Sequence, residues 1–172
     1  LYTSRVTLQV LGVEDFGIYN IVGGVVVLLA FLSRSLNSAS SRFLSLAVST
    51  NNENEIQRNF STILVGHVYL MLIVFFLLET VGLWFVSNKL SIPDGREATT
   101  SVVYQFVVIS TCLNILRTPF NASVIANEQM NFYACTGIVE SIFKLLIVWL
   151  LLIIPFDKLA FYSVLMMLSI LI

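Results

Sequence analysis

Apolar stretches about as long as a membrane is thick recur along this sequence. A helix rises about 1.5 Å per residue and the hydrocarbon core of a bilayer is about 30 Å thick, so about 20 apolar residues form one span. Several of the polar connections between the stretches are short, which requires neighbouring helices to pack antiparallel. We therefore predict an all-α integral membrane protein, a multi-span helical bundle. Its helices are predicted over residues 1–11, 16–46, 60–86, 100–116, 132–154 and 159–172.

The first and last of these stretches are shorter than one span, so we expect residues 1–172 to be a single truncated transmembrane lobe of a larger protein. The composition agrees with a membrane location, because 58% of the residues are hydrophobic and only 11% are charged. A soluble domain has about 25% charged residues.

Two classes of function are disfavoured by the polar residues. The net charge is −1 and the basic residues are scattered, so no patch predicts nucleic-acid binding. Cys112 and Cys135 lie far apart in apolar sequence without a CxxC pair or a Cys/His cluster. We therefore expect no metal site and no cofactor, and we expect both cysteines to be packing residues.

The acidic sequence "GVED", residues 12–15, lies between the first two predicted helices. Basic residues favour the cytoplasmic side of a membrane, and the second and fourth connections with their helix ends carry slightly more of them than the others do. They hold Arg34, Arg42, Arg58 and Arg117, against Lys89, Arg96 and Lys158 in the other connections. This bias predicts that "GVED" is a non-cytoplasmic corner between two spans, with Asp15 as a cap of the second helix.

Charged residues inside the predicted spans are candidates for a functional site, because each costs about 2.5 to 3.5 kcal/mol on insertion scales. Arg5 lies in the first predicted helix, seven residues before Gly12, and Glu79 lies at a similar depth from the end of the third helix. Glu140 and Lys144 lie deep in the fifth helix, four residues apart, which places them on one face. We expect an internal ion pair between them, a role in a translocation path, or both.

The second predicted helix carries a polar stripe in its second half. Arg34, Asn37, Ser38, Ser41 and Ser45 follow the helical repeat and share one face. From Phe16 to Leu46 this helix would be roughly 45 Å long, which is longer than the hydrocarbon core. Two interpretations remain open, a wall of an aqueous cavity open to the cytoplasm and a helix that protrudes into solvent.

Several of these stretches resemble a known family of membrane transporters. The similar stretches are the end of the first helix, the corner "GVEDFGIYN" and the helix end "SASSRFLS". A further one is the loop "IANEQMNFYA", which leads into "IVESIFKLL". It resembles the amino-terminal half of Wzx-type flippases, which serve O-antigen and capsule export within the multidrug/oligosaccharidyl-lipid/polysaccharide exporter superfamily. The resemblance implies most of the first six-helix lobe of a two-lobe (MATE-like) transporter in the bacterial cytoplasmic (inner) membrane.

The resemblance also implies a substrate, a polyprenyl-diphosphate-linked oligosaccharide flipped from the cytoplasmic to the outer leaflet by alternating access. Its diphosphate needs cationic neighbours, and the planar donor fork of arginine suits phosphate oxygens. Arg5 and Arg34 are therefore the candidates for that role, with Lys144 third. Besides the substrate, the expected partners are membrane lipids and other polysaccharide-assembly membrane proteins.

The resemblance also implies roles for the other polar residues inside the predicted helices. Asn37, Ser38 and Ser41 are expected to hydrogen-bond sugar hydroxyls. Glu79 and Glu140 are expected to couple the cycle to a cation or a proton, with the alternative that Glu140 only neutralises Lys144.

Three other functions stay open at this point. A multidrug exporter or a peptidoglycan-precursor flippase would share the architecture, although a drug exporter is expected to favour carboxylates and aromatic rings over arginines. A multi-span polysaccharide polymerase or ligase needs a sizeable loop outside the membrane, and no connection here is long enough. We therefore expect a transporter and not an enzyme. A non-transporting membrane scaffold would make the buried charges purely structural.

Overall fold

The fold was analysed in a computed structural model. It describes residues 2–50, 52–89, 96–153 and 158–171, with the side chains of residues 2, 3, 25–34, 89 and 153 left out. Every element within those ranges is helical. In chain order they are α1 (Tyr2–Ser49), α2 (Glu53–Leu77), a π-helical turn (Leu78–Gly82), α3 (Leu83–Lys89), α4 (Glu97–Ala126), α5 (Met130–Ile153), α6 (Lys158–Leu168) and a 3₁₀ turn (Ser169–Leu171).

Three helical segments are long and apolar enough to cross a membrane, by length and composition. They are Glu53–Asn88, Glu97–Ala126 and Met130–Leu152, and a shorter apolar helix covers Lys158–Leu171. This count covers only the described side chains and so leaves out the middle of α1. Helices suit such segments because they satisfy every backbone hydrogen bond within the segment.

Gly12 breaks α1 into two helical segments. Its φ of 84° and ψ of 169° are non-helical, and φ lies in the region that only glycine adopts readily. Thr7 and Tyr19, on opposite sides of Gly12, both interact with Tyr162 of α6. Twelve residues of straight helix span about 18 Å, more than one tyrosine can bridge. The chain therefore bends sharply at Gly12, and Val13, Glu14 and Asp15 belong to the second segment instead of forming a loop.

The connection between α1 and α2 is shorter than the sequence predicts. The first of these helices continues to Ser49 and the second begins at Glu53, seven residues before the predicted start at Phe60. Asn52 makes the early start possible, because its side chain accepts a hydrogen bond from the backbone N–H of Asn54 at 3.1 Å.

The predicted bounds of the fourth helix, residues 100–116, are also too narrow, since α4 runs from Glu97 to Ala126. It continues through Pro119, which is buried among its neighbours. Helices in membranes tolerate proline because neighbouring groups compensate for the missing N–H. The end of α4 is closed by backbone hydrogen bonds from Glu128 to Ile125 and from Gln129 to Val124, with Glu128 in the left-handed region at φ 57°.

Helix α4 lies at the centre of the fold and contacts α1, α2, α5 and α6. Its residues Val103, Tyr104 and Val108 are fully buried in the main apolar core. A smaller cluster joins Leu44 of α1 to Ala122 and Ala126 near the other end of α4. Many large apolar side chains of α2 and α5 are exposed, as expected for surfaces that face lipid.

Tyr104 of α4 holds the π-helical turn. Its hydroxyl donates a hydrogen bond of 2.6 Å to the backbone carbonyl of Leu78, which also accepts from the N–H of Leu83. Gly82 makes this approach possible, because a Cβ at that position would overlap the Tyr104 hydroxyl. A π-helical turn of this kind is most often found at functional positions of helices.

Candidate functional site: a polar cavity between four helices

A polar cavity of about 290 Å³ lies where α1, α4, α5 and α6 meet. Eight of the twelve residues that line it carry a polar or charged side chain, although the surrounding helices are apolar. The lining residues are Tyr19, Gly23, Val107, Ser110, Thr111, Asn114, Glu140, Lys144, Ser163, Met166, Ser169 and Ile170. Polar side chains that gather inside an apolar bundle are the usual mark of a substrate or ion pathway.

Three charged side chains form a network at this cavity. Lys144 Nζ lies 2.6 Å from Glu140 Oε1, and Arg117 Nη1 lies 3.4 Å from Glu140 Oε2. The expected ion pair between Glu140 and Lys144 is therefore present. Because one carboxylate is shared by two cations, the network carries one excess positive charge. Lys144 is the most accessible of the three, with 42% of its side chain exposed.

Arg117 links this network to a second cavity of about 380 Å³. Arg117 lines that second cavity together with Asn121, Tyr133 and Thr136, whereas its partner Glu140 lines the first. Ile170 lines both. The Arg117–Glu140 contact thus lies between two neighbouring spaces in the bundle.

Four of the six uncharged polar residues of the first cavity donate hydrogen bonds to nearby backbone carbonyls. Thr111, Ser163 and Ser169 donate their hydroxyl protons to backbone carbonyls three or four residues earlier, at 2.7 to 2.8 Å. The amide nitrogen of Asn114 donates to the carbonyl of Ser110 at 3.0 Å. Their oxygen lone pairs remain available as acceptors. The cavity can therefore accept hydrogen bonds from hydroxyl groups and contact an anion through Lys144.

The structure does not bring the polar stripe of α1 into this cavity. Ser38 and Ser45 are exposed, while Asn37 and Ser41 are half-buried. The Ser41 hydroxyl donates to the backbone carbonyl of Asn37 at 2.9 Å, and the amide oxygen of Asn37 is buried without a partner among the described residues. None of the four lines the two cavities above. Among the described residues, these four and Lys144 therefore do not line a common cavity.

Arg5, one of the two arginines first proposed for the diphosphate, lies apart from the polar cavity. Arg5 is exposed on the short segment before Gly12 and does not line the polar cavity. The side chain of Arg34 lies outside the described residues.

Glu79 is separated from Glu140 in the fold. It lies in the π-helical turn, half-buried, where the side-chain amide of Gln105 donates to it at 3.4 Å. It therefore sits beside α4 but does not line the polar cavity.

Asp15 forms an ion pair with the beginning of the central helix. Its buried carboxylate lies 3.1 Å from Arg96 Nη2, at the start of α4. The acidic corner thus ties α1 to the beginning of the central helix. Of the two cysteines expected to pack inside, Cys112 is half-buried, whereas Cys135 is exposed.

The sequence interpretation missed Arg117 and the polar face of α4. It assigned Arg117 to the loop that follows residue 116, and so did not place it beside Glu140. A signal was present, since Val107, Ser110, Thr111 and Asn114 follow the i, i+3, i+4, i+7 spacing of one helix face. Across the described residues, no group of three or more His, Cys, Asp or Glu side chains is arranged to hold a metal ion.

Comparison with known proteins adds no relative, because no protein-family model, curated protein or solved structure matches the chain.

Proposed function

We propose that this chain is part of a membrane transporter that flips polyprenyl-diphosphate-linked oligosaccharides from the cytoplasmic to the outer leaflet for export of a surface polysaccharide. The observation that carries the proposal is the polar cavity with its Arg117–Glu140–Lys144 network, placed among apolar helices that are long enough to cross a membrane. The choice of substrate and the direction of transport in this proposal come from the sequence resemblance to Wzx-type flippases.

The charges of the network suit the diphosphate. A sugar diphosphate cannot enter hydrocarbon unaided, so it needs cations in a space that excludes lipid. Lys144 and Arg117 supply two positive charges, and Glu140 holds both in place when no substrate is bound. An incoming diphosphate competes with Glu140 for the two cations and forms charge-assisted hydrogen bonds with them. We therefore assign the diphosphate first to Lys144 and Arg117, while Arg34 and Arg5 remain candidates for an entry path.

The acceptors around the network suit the sugar. Ser163, Ser169 and Thr111 present hydroxyl oxygens whose protons are already used, so sugar hydroxyls can donate to them. Such contacts depend little on which hydroxyl is presented, which matches a transporter for a large, variable head group. Asn37, Ser38 and Ser41 stay candidates for a separate sugar contact on α1.

The proposed setting is the inner membrane of a bacterium, with the chain forming most of the first lobe of a two-lobe (MATE-like) transporter. In such folds substrate sites lie between the repeated halves, which rock against each other to alternate access. The Arg117–Glu140 contact between two neighbouring cavities is a position where a rearrangement could open one space toward the other.

A multidrug exporter is the second candidate, favoured by the presence of the Glu140 carboxylate and the Tyr19 ring in the cavity. A cationic drug would need that carboxylate, and here it is held by two cations. The flippase proposal therefore accounts for more of the site.

The test is a deletion of the gene in its source bacterium, complemented with the native gene or with the same gene carrying Lys144→Met. Losing a charge-assisted hydrogen bond to a charged group costs about 1.5 to 3 kcal/mol, so we expect surface polysaccharide to fall roughly tenfold or more. Arg58→Gln removes an exposed basic residue of α2 outside the cavity and serves as the matched control. Membrane abundance of each variant is measured by immunoblot.

Two results would speak against the proposal. Full complementation by Lys144→Met at normal abundance would show that Lys144 is not needed to bind the diphosphate. Unchanged polysaccharide in the deletion strain, together with lost resistance to cationic drugs, would favour the exporter.

A further inference from the structure

A separate cavity of about 510 Å³ lies between α1 and α2. Its walls are mostly apolar, with Leu36 and Phe43 from α1 and Ile63 and Leu70 from α2. Beside it, α2 exposes the large apolar residues Val65, Val68, Tyr69, Leu72 and Ile73, within a segment apolar enough to cross a membrane. The cavity therefore adjoins an exposed apolar face of α2.

His67 lines this cavity together with the polar residues Ser40, Asn59 and Thr62. His67 is only 5% exposed. Its Nδ1 lies 2.8 Å from the backbone carbonyl of Ile63. A carbonyl oxygen can only accept, so Nδ1 must carry the proton and donate it.

The second ring nitrogen is then an acceptor. A neutral imidazole carries a proton on only one ring nitrogen, so with the proton on Nδ1 the Nε2 of His67 can accept a hydrogen bond. Nε2 is buried and has no hydrogen-bond partner in the described part of the chain. A buried polar atom without a partner is rare in native proteins and is costly to keep.

We infer that this cavity binds an apolar molecule that carries a hydroxyl group, which donates its proton to His67 Nε2. The occupant is a long-chain alcohol dissolved in the membrane, because the walls are mostly apolar and the cavity adjoins an exposed apolar face of α2. Its hydrocarbon chain lies against the apolar walls. Its hydroxyl donates to the buried Nε2 of His67, which has no other partner among the described residues. This site is distinct from the Arg117–Glu140–Lys144 cavity and does not depend on the flippase proposal.

The chain contains a single histidine, which makes a direct measurement possible. The protein is labelled with ¹⁵N-histidine, placed in lipid nanodiscs, and followed by nitrogen NMR as 1-dodecanol is added. Methyl undecyl ether has the same number of heavy atoms but no donor, and it serves as the matched probe. We expect a saturable shift of the Nε2 resonance with the alcohol and none with the ether.

Two glycine variants separate binding in the cavity from a general effect of the alcohol. Gly66 lines the cavity, and a Cβ at that position would meet only open space, so Gly66→Leu fills the cavity without a clash at Cβ. Gly137 on α5 has the same open surroundings but lies outside the cavity, which makes Gly137→Leu the matched control. We expect the shift to disappear in the first variant and to persist in the second.

Several outcomes would overturn the inference. One is an Nε2 resonance that shows a protonated nitrogen before any alcohol is added. Others are an equal shift with the ether, no shift with the alcohol, or a shift that survives Gly66→Leu. A response to glycerol comparable to that of dodecanol would show a site for soluble polyols instead.

Discussion

Replacing Gly82 by alanine should destabilise the fold through its contact with Tyr104. The new Cβ would overlap the Tyr104 hydroxyl and stand 3.2 Å from Cζ of the same ring. Because ordinary contacts between such atoms lie near 3.5 to 4.0 Å, the hydroxyl must move on the order of 1 Å. Tyr104 is fully buried, so the ring has little room to move.

The magnitude follows from two costs. The displaced hydroxyl loses its 2.6 Å bond to the Leu78 carbonyl, and a buried group left unsatisfied costs about 1 to 3 kcal/mol. Overpacking adds about 1 to 3 kcal/mol. The higher helix propensity of alanine relative to glycine offsets about 0.5 to 1 kcal/mol of these two costs. We therefore expect Gly82→Ala to lower the free energy of unfolding by about 1 to 5 kcal/mol.

A double-mutant cycle with Tyr104→Phe tests the cause. Tyr104→Phe alone should cost about 1 kcal/mol, because the Leu78 carbonyl keeps its bond from the Leu83 N–H. Without the hydroxyl, the alanine Cβ meets only the ring carbon, so the second substitution should add little. We expect a coupling energy of about 1 to 3 kcal/mol, from unfolding of the four proteins in mixed micelles.

Gly137→Ala is the control for the cycle, since its Cβ meets nothing within 4 Å. It should be neutral or stabilise by up to about 1 kcal/mol, through helix propensity alone. Additive effects of Gly82→Ala and Tyr104→Phe, with no coupling beyond error, would refute the proposed contact between the hydroxyl and position 82.

Three further substitutions have expected effects on the free energy of unfolding, measured in the same micelles. Asn52→Ala removes the cap of α2 and should cost about 1 kcal/mol, whereas Asn54→Ala, whose backbone N–H still donates, should change little. Glu128→Gly should stabilise by up to about 1 kcal/mol, because glycine adopts the left-handed backbone of Glu128 without strain. Glu140→Gln should cost about 1 to 3 kcal/mol, since it leaves two half-buried cations without their shared carboxylate. Equal stability of the native chain and Glu140→Gln would show that the network contributes nothing to the fold.

Local rules predicted some features of the structure well. The all-helical architecture follows from the apolar stretches, and the break of α1 lies at Gly12, where glycine permits a backbone that other residues avoid. The ion pair of Glu140 with Lys144 follows from their spacing of four residues within one helix. Each of these features depends on residues close together in sequence.

Features that depend on packing between helices were not predictable in this way. The sequence interpretation ended the fourth helix at residue 116, whereas neighbouring helices stabilise α4 through Pro119 and beyond. Arg117 then meets Glu140 across 23 positions in the sequence, which no local pattern indicates. The bond from Tyr104 to the π-helical turn likewise joins two helices. The polar stripe of α1 was visible, but the surface it faces depends on how α1 packs.

The leaflet in which the lipid-linked oligosaccharide resides shows whether this chain helps to move that lipid across the membrane. Inside-out and right-side-out membrane vesicles are prepared from the deletion strain and from the strain complemented with the native gene. The oligosaccharide head is then labelled with a reagent that cannot cross the membrane. We expect deletion to trap the lipid-linked oligosaccharide in the cytoplasmic leaflet and complementation to restore it to the outer leaflet. The same distribution between leaflets in both strains would contradict this expectation.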